Sequence, residues 1–301
     1  MYKIGFAGTP PISINFLEQF LRDPRFKVEF IMTKYEDPKS KAKGLYNHLL
    51  LKKYPVKVFT PYSLDELPES IFETISCMIV VAYGHKIPDK LLQKTHWINM
   101  HGSLLPEFRG AAPIQYALLN GRSATGITCM LMGSGIDTGP IIDQMKIDIS
   151  SCDNYGSLAE KISNLSPAWF VETVWKFLSG SVLPREQDHS LATKAPSIKE
   201  SFRLIEWNNP AINIHNKIRA FSPLPACLVK LNKINIKVIQ SEIVPFGKFG
   251  YQSEPGKLLS SKDLLFATND DVIRLTKVIP ESRKVMTGEE FCRGFKLEVE
   301  T

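Results

Sequence analysis

Lys3-Ile4-Gly5-Phe6-Ala7-Gly8-Thr9-Pro10-Pro11-Ile12 reads as a short apolar strand, a glycine-bearing turn and the entry to a helix, because Ile12, Phe16, Leu17 and Phe20 follow at helical spacing. A nucleotide-binding fingerprint would occupy this same turn. It is not met: the third glycine is missing, and Pro10 and Pro11 stand where helix amides would face a pyrophosphate. Close packing of the chain is the better explanation of Gly5 and Gly8. The same alternation of β-branched runs and amphipathic stretches continues to about residue 150, with strands expected over 3–7, 28–33, 56–60, 78–82, 97–100 and 127–132. Several are almost wholly apolar, as strands covered on both faces should be. The pattern predicts βαβ units and a parallel-rich sheet, hence an α/β fold.

Further helices are expected where Leu158, Ile162 and Leu165 recur, and after Pro113, with Gly121 as the stop. Around residues 180–201 the composition turns polar and proline-bearing, which suggests a connection and a boundary near residue 205. A helix is expected over 211–219, then strands over 227–231, 234–244, 257–259, 264–267 and 272–278, a density that suits a small barrel or sandwich.

The chain has 301 residues, 44% hydrophobic and 23% charged, which excludes wholesale disorder and fibrous classes. No apolar run nears the roughly 18–20 residues of a membrane span. Nothing before residue 12 resembles a targeting peptide, so a cytoplasmic protein with no membrane partner is expected. Five cysteines without CxxC spacing predict free thiols, not disulfides or zinc, and the scattered histidines predict no metal. The formal charge of +6 is unevenly spread. Residues 34–57 hold seven Lys or Arg against two acids, and residues 203–248 repeat that ratio. Each could be a solvated face; two together favour an anionic polymer as partner.

Asn99 and His101 sit two apart at the end of an expected strand, so they share a face where ligands of open α/β sheets bind. An amide and an imidazole there could stabilise a developing oxyanion. The plainer alternative is a satisfied core histidine beside a turn residue. Asp137, in the glycine-rich run Gly133-Ser134-Gly135-Ile136-Asp137-Thr138-Gly139, could orient or exchange protons with His101, or simply shape a turn. An aspartic protease would need a second such carboxylate, and a serine hydrolase a Gly-x-Ser-x-Gly elbow; neither occurs.

Taken together, His101-Gly-Ser-Leu-Leu-Pro106, Arg109-Gly-Ala-Ala-Pro-Ile-Gln115 and Gly135-Ile-Asp-Thr-Gly139 resemble the methionyl-tRNA formyltransferases in letters, order and spacing. Phe6-Ala-Gly-Thr-Pro10, Val80-Val-Ala-Tyr-Gly84 and Ile218-Arg-Ala-Phe-Ser-Pro223 extend the resemblance over nearly the whole chain. The resemblance implies a Rossmann-like formyltransferase domain over 1–185, a linker over 186–204 and an OB-like β-barrel over 205–301. It implies 10-formyltetrahydrofolate as co-substrate, initiator Met-tRNA as acceptor, a monomer, and no metal. Carried over by position, the catalytic residues would be Asn99, His101 and Asp137. Ser103, Leu104, Leu105 and Pro106 would contact folate, with Val81, Ala82, Tyr83, Gly84, Gly135 and Ile136 lining the pterin pocket. The tRNA would meet Lys39, Lys41 and Lys43 of the basic insertion and Arg219, Lys230 and Lys233 of the second domain. Glu107 and Gly133 depart from the family's usual letters, and the insertion lacks its Arg-Gly-rich run. Formylation of a nucleotide-linked amino sugar, or RNA binding without catalysis, are the competing functions.

Overall fold

Five successive buried residues, Cys77-Met78-Ile79-Val80-Val81, mark a strand covered on both faces. A computed structural model describes that strand and the rest of the chain except residues 38–43, 53, 232–233, 246–252, 261 and 296–301. In chain order come β1 (Tyr2–Gly8), α1 (Ile12–Arg22), β2 (Phe26–Met32), α2 (Leu45–Lys52), β3 (Lys57–Phe59), α3 (Ser70–Glu73), β4 (Cys77–Val81), α4 (Asp89–Leu92), β5 (His96–His101), α5 (Pro113–Leu119), β6 (Ala124–Leu131), β7 (Ile141–Asp148), α6 (Tyr155–Leu165) and α7 (Pro167–Leu178). The sheet order is β3-β2-β1-β4-β5-β6-β7. Strands β1 to β5 pair in parallel, whereas β6 runs antiparallel to both of its neighbours, β5 and β7. The sheet is therefore the expected parallel-rich, Rossmann-like α/β sheet, and its direction reverses beside β5.

One face is aromatic. Phe20 of α1 meets Phe26 and Phe170 edge-on, and Phe16 of α1 meets Phe170 of α7 with ring centroids 5.5 Å apart. Phe30, Phe72, Met78, Val80, Tyr83 and Trp97 fill the opposite core. The buried Trp97 indole is satisfied by donating to the Leu91 carbonyl at 2.9 Å. Gly5 is dictated by this packing, because a Cβ there would run into Met78 Sδ and the Phe30 ring.

The sequence reading does not anticipate β7 or α7. Strand β7, Ile-Ile-Asp-Gln-Met-Lys-Ile-Asp, lies at the sheet edge and exposes polar residues, so it lacks the apolar run of an inner strand. Pro167 occupies the first turn of α7 and starts a second helix just after Leu165, which is exposed, not part of an apolar face.

The remaining elements are α8 (Ala211–Phe221), β8 (Cys227–Leu231), β9 (Ile234–Val244), β10 (Leu258–Ser260), β11 (Leu265–Ala267), β12 (Val272–Pro280), β13 (Met286–Thr287) and α9 (Gly288–Gly294). Strands β10-β11-β12-β9-β8 form an antiparallel sheet, with β13 added beside β12, in keeping with the OB-like expectation. By contacts the chain gathers into two units, Met1–Pro113, Ala124–Asp148 and Ala159–Pro196 in one, and Ile114–Ser123, Ile149–Leu158 and Ser197–Thr301 in the other. Among the described residues no helix is long and apolar enough to cross a membrane, and all five cysteines are free.

Phe20 is fully buried, so Phe20→Ala should destabilise the protein by about 3–5 kcal/mol in denaturant unfolding. A loss below about 1 kcal/mol would mean that the α1–α7 aromatic layer is not the core it looks to be.

Candidate active site

β5 carries two of the expected residues to the carboxyl end of the parallel strands. Asn99 pairs by register with Val80 of β4 and Met130 of β6, and His101 with Thr128 of β6. Strand alternation puts both side chains on one face. The Asn99 amide is half-buried and makes no hydrogen bond to another described residue. His101 is 5% exposed, and both its nitrogens are engaged. Nε2 lies 2.9 Å from the Phe108 carbonyl, which can only accept, so that nitrogen carries a proton. Nδ1 lies 3.6 Å from Asp137 Oδ2. A second proton, on Nδ1, would make that approach an ion pair.

Asp137 reaches this place from a turn in which its own φ is +52°, a left-handed conformation that aspartate tolerates better than most residues. Its Oδ2 accepts the Gly110 amide at 2.8 Å. Gly110 itself has φ +122°, and a Cβ there would meet the Ala195 carbonyl oxygen, so only glycine lets the amide turn toward the carboxylate.

Ser103 and Leu105 are buried and bound within the protein. Ser103 Oγ donates to the Glu107 carbonyl at 2.6 Å. Thr128 Oγ1 donates to the Ser103 carbonyl at 2.7 Å and accepts the Leu105 amide at 3.0 Å and Gln144 Nε2 at 3.0 Å. Leu104 and Pro106 are half-buried. Beyond β4, Val81 and Tyr83 are buried while Ala82 and Gly84 are exposed, both with positive φ. Thr9 Oγ1 donates to the Tyr83 carbonyl at 3.1 Å, and Lys34 Nζ to the Gly84 carbonyl at 3.1 Å. Two buried polar atoms here, Tyr83 Oη and His85 Nε2, have no hydrogen-bond partner among the described residues. Burial pushes the Tyr83 phenol up to about 12; burial, then the Lys34 charge, pulls the His85 imidazole below its usual value. Gly135 and Ile136 are exposed.

Sequence reasoning missed a second set of groups. Gln187 is 5% exposed and donates from Nε2 to the carbonyls of Asp137, at 3.0 Å, and Gly139, at 2.7 Å. Arg109 donates to Gln187 Oε1 through Nε at 3.2 Å and Nη2 at 2.6 Å. Thr193 Oγ1 accepts the Phe108 amide at 2.8 Å, and Arg109 exchanges backbone bonds with Thr193 and Ala195. These residues fall in the polar, proline-bearing stretch read as a connection. The only sequence signal was Arg109 within its motif.

Among the expected basic residues, Lys39, Lys41, Lys43 and Lys233 lie outside the described residues. Lys230 is exposed on β8. Arg219 of α8 is half-buried, and burial lowers its pKa. Its Nε donates to Asn216 Oδ1 at 2.9 Å and its Nη1 to the Asp153 carbonyl at 3.4 Å. It lines a cavity of about 620 Å³ with His215, Ser222, Thr276 and Lys277. No group of His, Cys, Asp and Glu side chains among the described residues is arranged to hold a metal.

Comparison with known proteins sets the class first. The family described as formyl transferase matches residues 47–174, and the formyl transferase C-terminal domain matches residues 197–296. The methionyl-tRNA formyltransferase of Bacillus licheniformis is 35% identical, with 99% of this chain and 96% of the relative covered. The chain belongs to the methionyl-tRNA formyltransferase family. Among solved structures, an N-formyltransferase from Helicobacter canadensis, in complex with folinic acid and dTDP-3-aminofucose, shares the fold with TM-score 0.69 at 22% identity, over 91% of this chain and 99% of that one. HypX from Aquifex aeolicus, solved with tetrahydrofolic acid, gives TM-score 0.64 at 14% identity over 99% of this chain, which spans 48% of HypX.

Thr128 is fully buried and its hydroxyl ties β6 to the segment after His101. Thr128→Val leaves the Leu105 amide and Ser103 carbonyl without that partner, and should cost about 1–3 kcal/mol in urea unfolding. An unchanged midpoint would show that the segment repairs itself.

Proposed function

We propose that this protein transfers the formyl group of 10-formyltetrahydrofolate to the α-amine of methionine carried by initiator tRNA. The observation that carries the reading is the buried His101 facing the Asp137 carboxylate, on the strand that also presents the Asn99 amide, which has no partner among the described residues. Near full-length identity to a curated methionyl-tRNA formyltransferase supports the acceptor. Residues 1–185 form the catalytic domain, 186–204 the linker and 205–301 the tRNA-binding domain of a monomer working in the cytoplasm.

The folate co-substrate fits the residues present. Ala82 and Gly84 are exposed with positive φ, leaving backbone groups open beside the end of β4, which suits a heterocycle rich in donors and acceptors. Val81 to Gly84, Ser103 to Pro106, Gly135 and Ile136 are the residues assigned to it. When bound it supplies the formyl carbon. A new bond forms from the methionine nitrogen to that carbon, the bond to the folate nitrogen breaks, and the amine proton ends on the folate nitrogen. Negative charge develops on the formyl oxygen meanwhile. Asn99 donates its amide to that oxygen, and His101, held in place by the Phe108 carbonyl, stands beside it. Asp137 holds the imidazole and helps move the amine proton. Lys39, Lys41, Lys43, Arg219, Lys230 and Lys233 track phosphates of the tRNA. Formylation of a nucleotide-linked amino sugar rests only on fold likeness at 22% identity, and the basic stretches are superfluous to it.

Asn99→Ala should lower formyl transfer about 100- to 1,000-fold, or about 2.7–4 kcal/mol, the loss of a single oxyanion donor, and His101→Ala should lower it as well. A folded variant within about threefold of wild type would remove that residue from the chemistry. Affinity for Met-tRNA should fall steeply between about 50 and 200 mM salt. Salt-independent binding would contradict the phosphate contacts.

A further inference from the structure

We infer that Gln187 is a positioning residue for formyl transfer: its amide fixes the turn that aims the Asp137 carboxylate at His101, and Arg109 fixes the amide. The inference rests on the proposed role of Asp137. Gly133, Ser134, Gly135 and Ile136, which lead into Asp137, are all exposed, so this arm of the turn has little packing to hold it. Asp137 also adopts φ +52°, a conformation that persists only where neighbouring contacts over-determine it. Gln187 supplies such contacts. Buried to 5%, it donates to the carbonyls on either side of Thr138, those of Asp137 and Gly139.

A primary amide could face either way, but Arg109 removes the choice. The guanidinium can only donate, and its Nε and Nη2 both address Oε1, so Nε2 must face the turn. Arg109 is held in its turn by backbone bonds to Thr193 and Ala195. The following residue, Gly110, gives its amide to Asp137 Oδ2 at 2.8 Å. The same two-residue step thus grips the carboxylate directly and the Asp137 carbonyl through Gln187. A glutamate at position 187 could still pair with Arg109, yet would present an acceptor to two acceptors. A methionine would fill the space and make neither bond.

The test compares Gln187→Met and Gln187→Glu with wild type, after thermal melts establish that the variants fold. Both should lower kcat about 10- to 100-fold, the scale of a supporting hydrogen bond to an active group, and leave KM for Met-tRNA and for the folate within about threefold. Combining Arg109→Ala with Gln187→Met should cost no more than about threefold beyond Gln187→Met alone, because the two act in series. Wild-type kcat in Gln187→Met would show that filling space suffices, and losses that multiply in the double variant would sever Arg109 from Gln187. A loss confined to KM would overturn the positioning role. Hydrogen exchange of the 133–139 segment needs no substrate: it should quicken about tenfold in Gln187→Met, and unchanged protection would overturn the clamp. Failure of wild type to formylate Met-tRNA would instead count against the acceptor, while the exchange result still decides the clamp.

Discussion

The Asp137 carboxylate accepts the Gly110 amide at 2.8 Å and faces Nδ1 of buried His101 at 3.6 Å, and much of the surrounding chain keeps it there. That geometry lasts only if neither group can turn away. The Phe108 carbonyl blocks rotation of the ring by accepting from Nε2. Gly110 blocks movement of the carboxylate, and can do so because it alone tolerates the Ala195 carbonyl where a side chain would begin. Four chain segments, β5, the 106–112 loop, the 133–139 turn and the 185–195 stretch, must therefore be correctly paired before the site exists.

The sheet supplies the other half of that requirement. Where β5 lies parallel to β4 on one side and antiparallel to β6 on the other, the chain leaving β5 runs through residues 102–112 before it enters α5. Thr128 on β6 then gathers that departing segment through the Ser103 carbonyl and the Leu105 amide. The aromatic layer packs α1 against α7 and β2.

What the sequence revealed follows from where physical information is local. Inner strands announce themselves as apolar runs, so β1, β2, β4, β5 and β6 are visible, and β9 has the bounds expected of it. Edge strand β7 exposes Asp143 and hides among polar residues. The closing helix α9 carried a readable signal in Thr287 and Glu290, a capping box that satisfies both backbone amides, but it is short. At the site, spacing left Asn99, His101 and Asp137 between a chemical and a plainer reading, the family resemblance singled them out, and the structure brings His101 and Asp137 together. Gln187 was not legible, since a glutamine in a polar stretch has no periodicity and its meaning comes from carbonyls 48 and 50 residues away in the chain. Four of the six basic residues singled out for RNA lie outside the described residues, and of the other two Arg219 is largely engaged within its own unit.

The central claim is that the buried His101–Asp137 contact serves formyl transfer to a charged tRNA. The most direct test supplies 10-formyltetrahydrofolate labelled in the formyl carbon to the protein with initiator Met-tRNA, elongator Met-tRNA and a nucleotide-linked amino sugar in competition. The account predicts label on the methionine of initiator Met-tRNA in preference to the other two. Label on the sugar alone would contradict the acceptor and the function given to the second domain, and no transfer to any of the three would contradict the account as a whole.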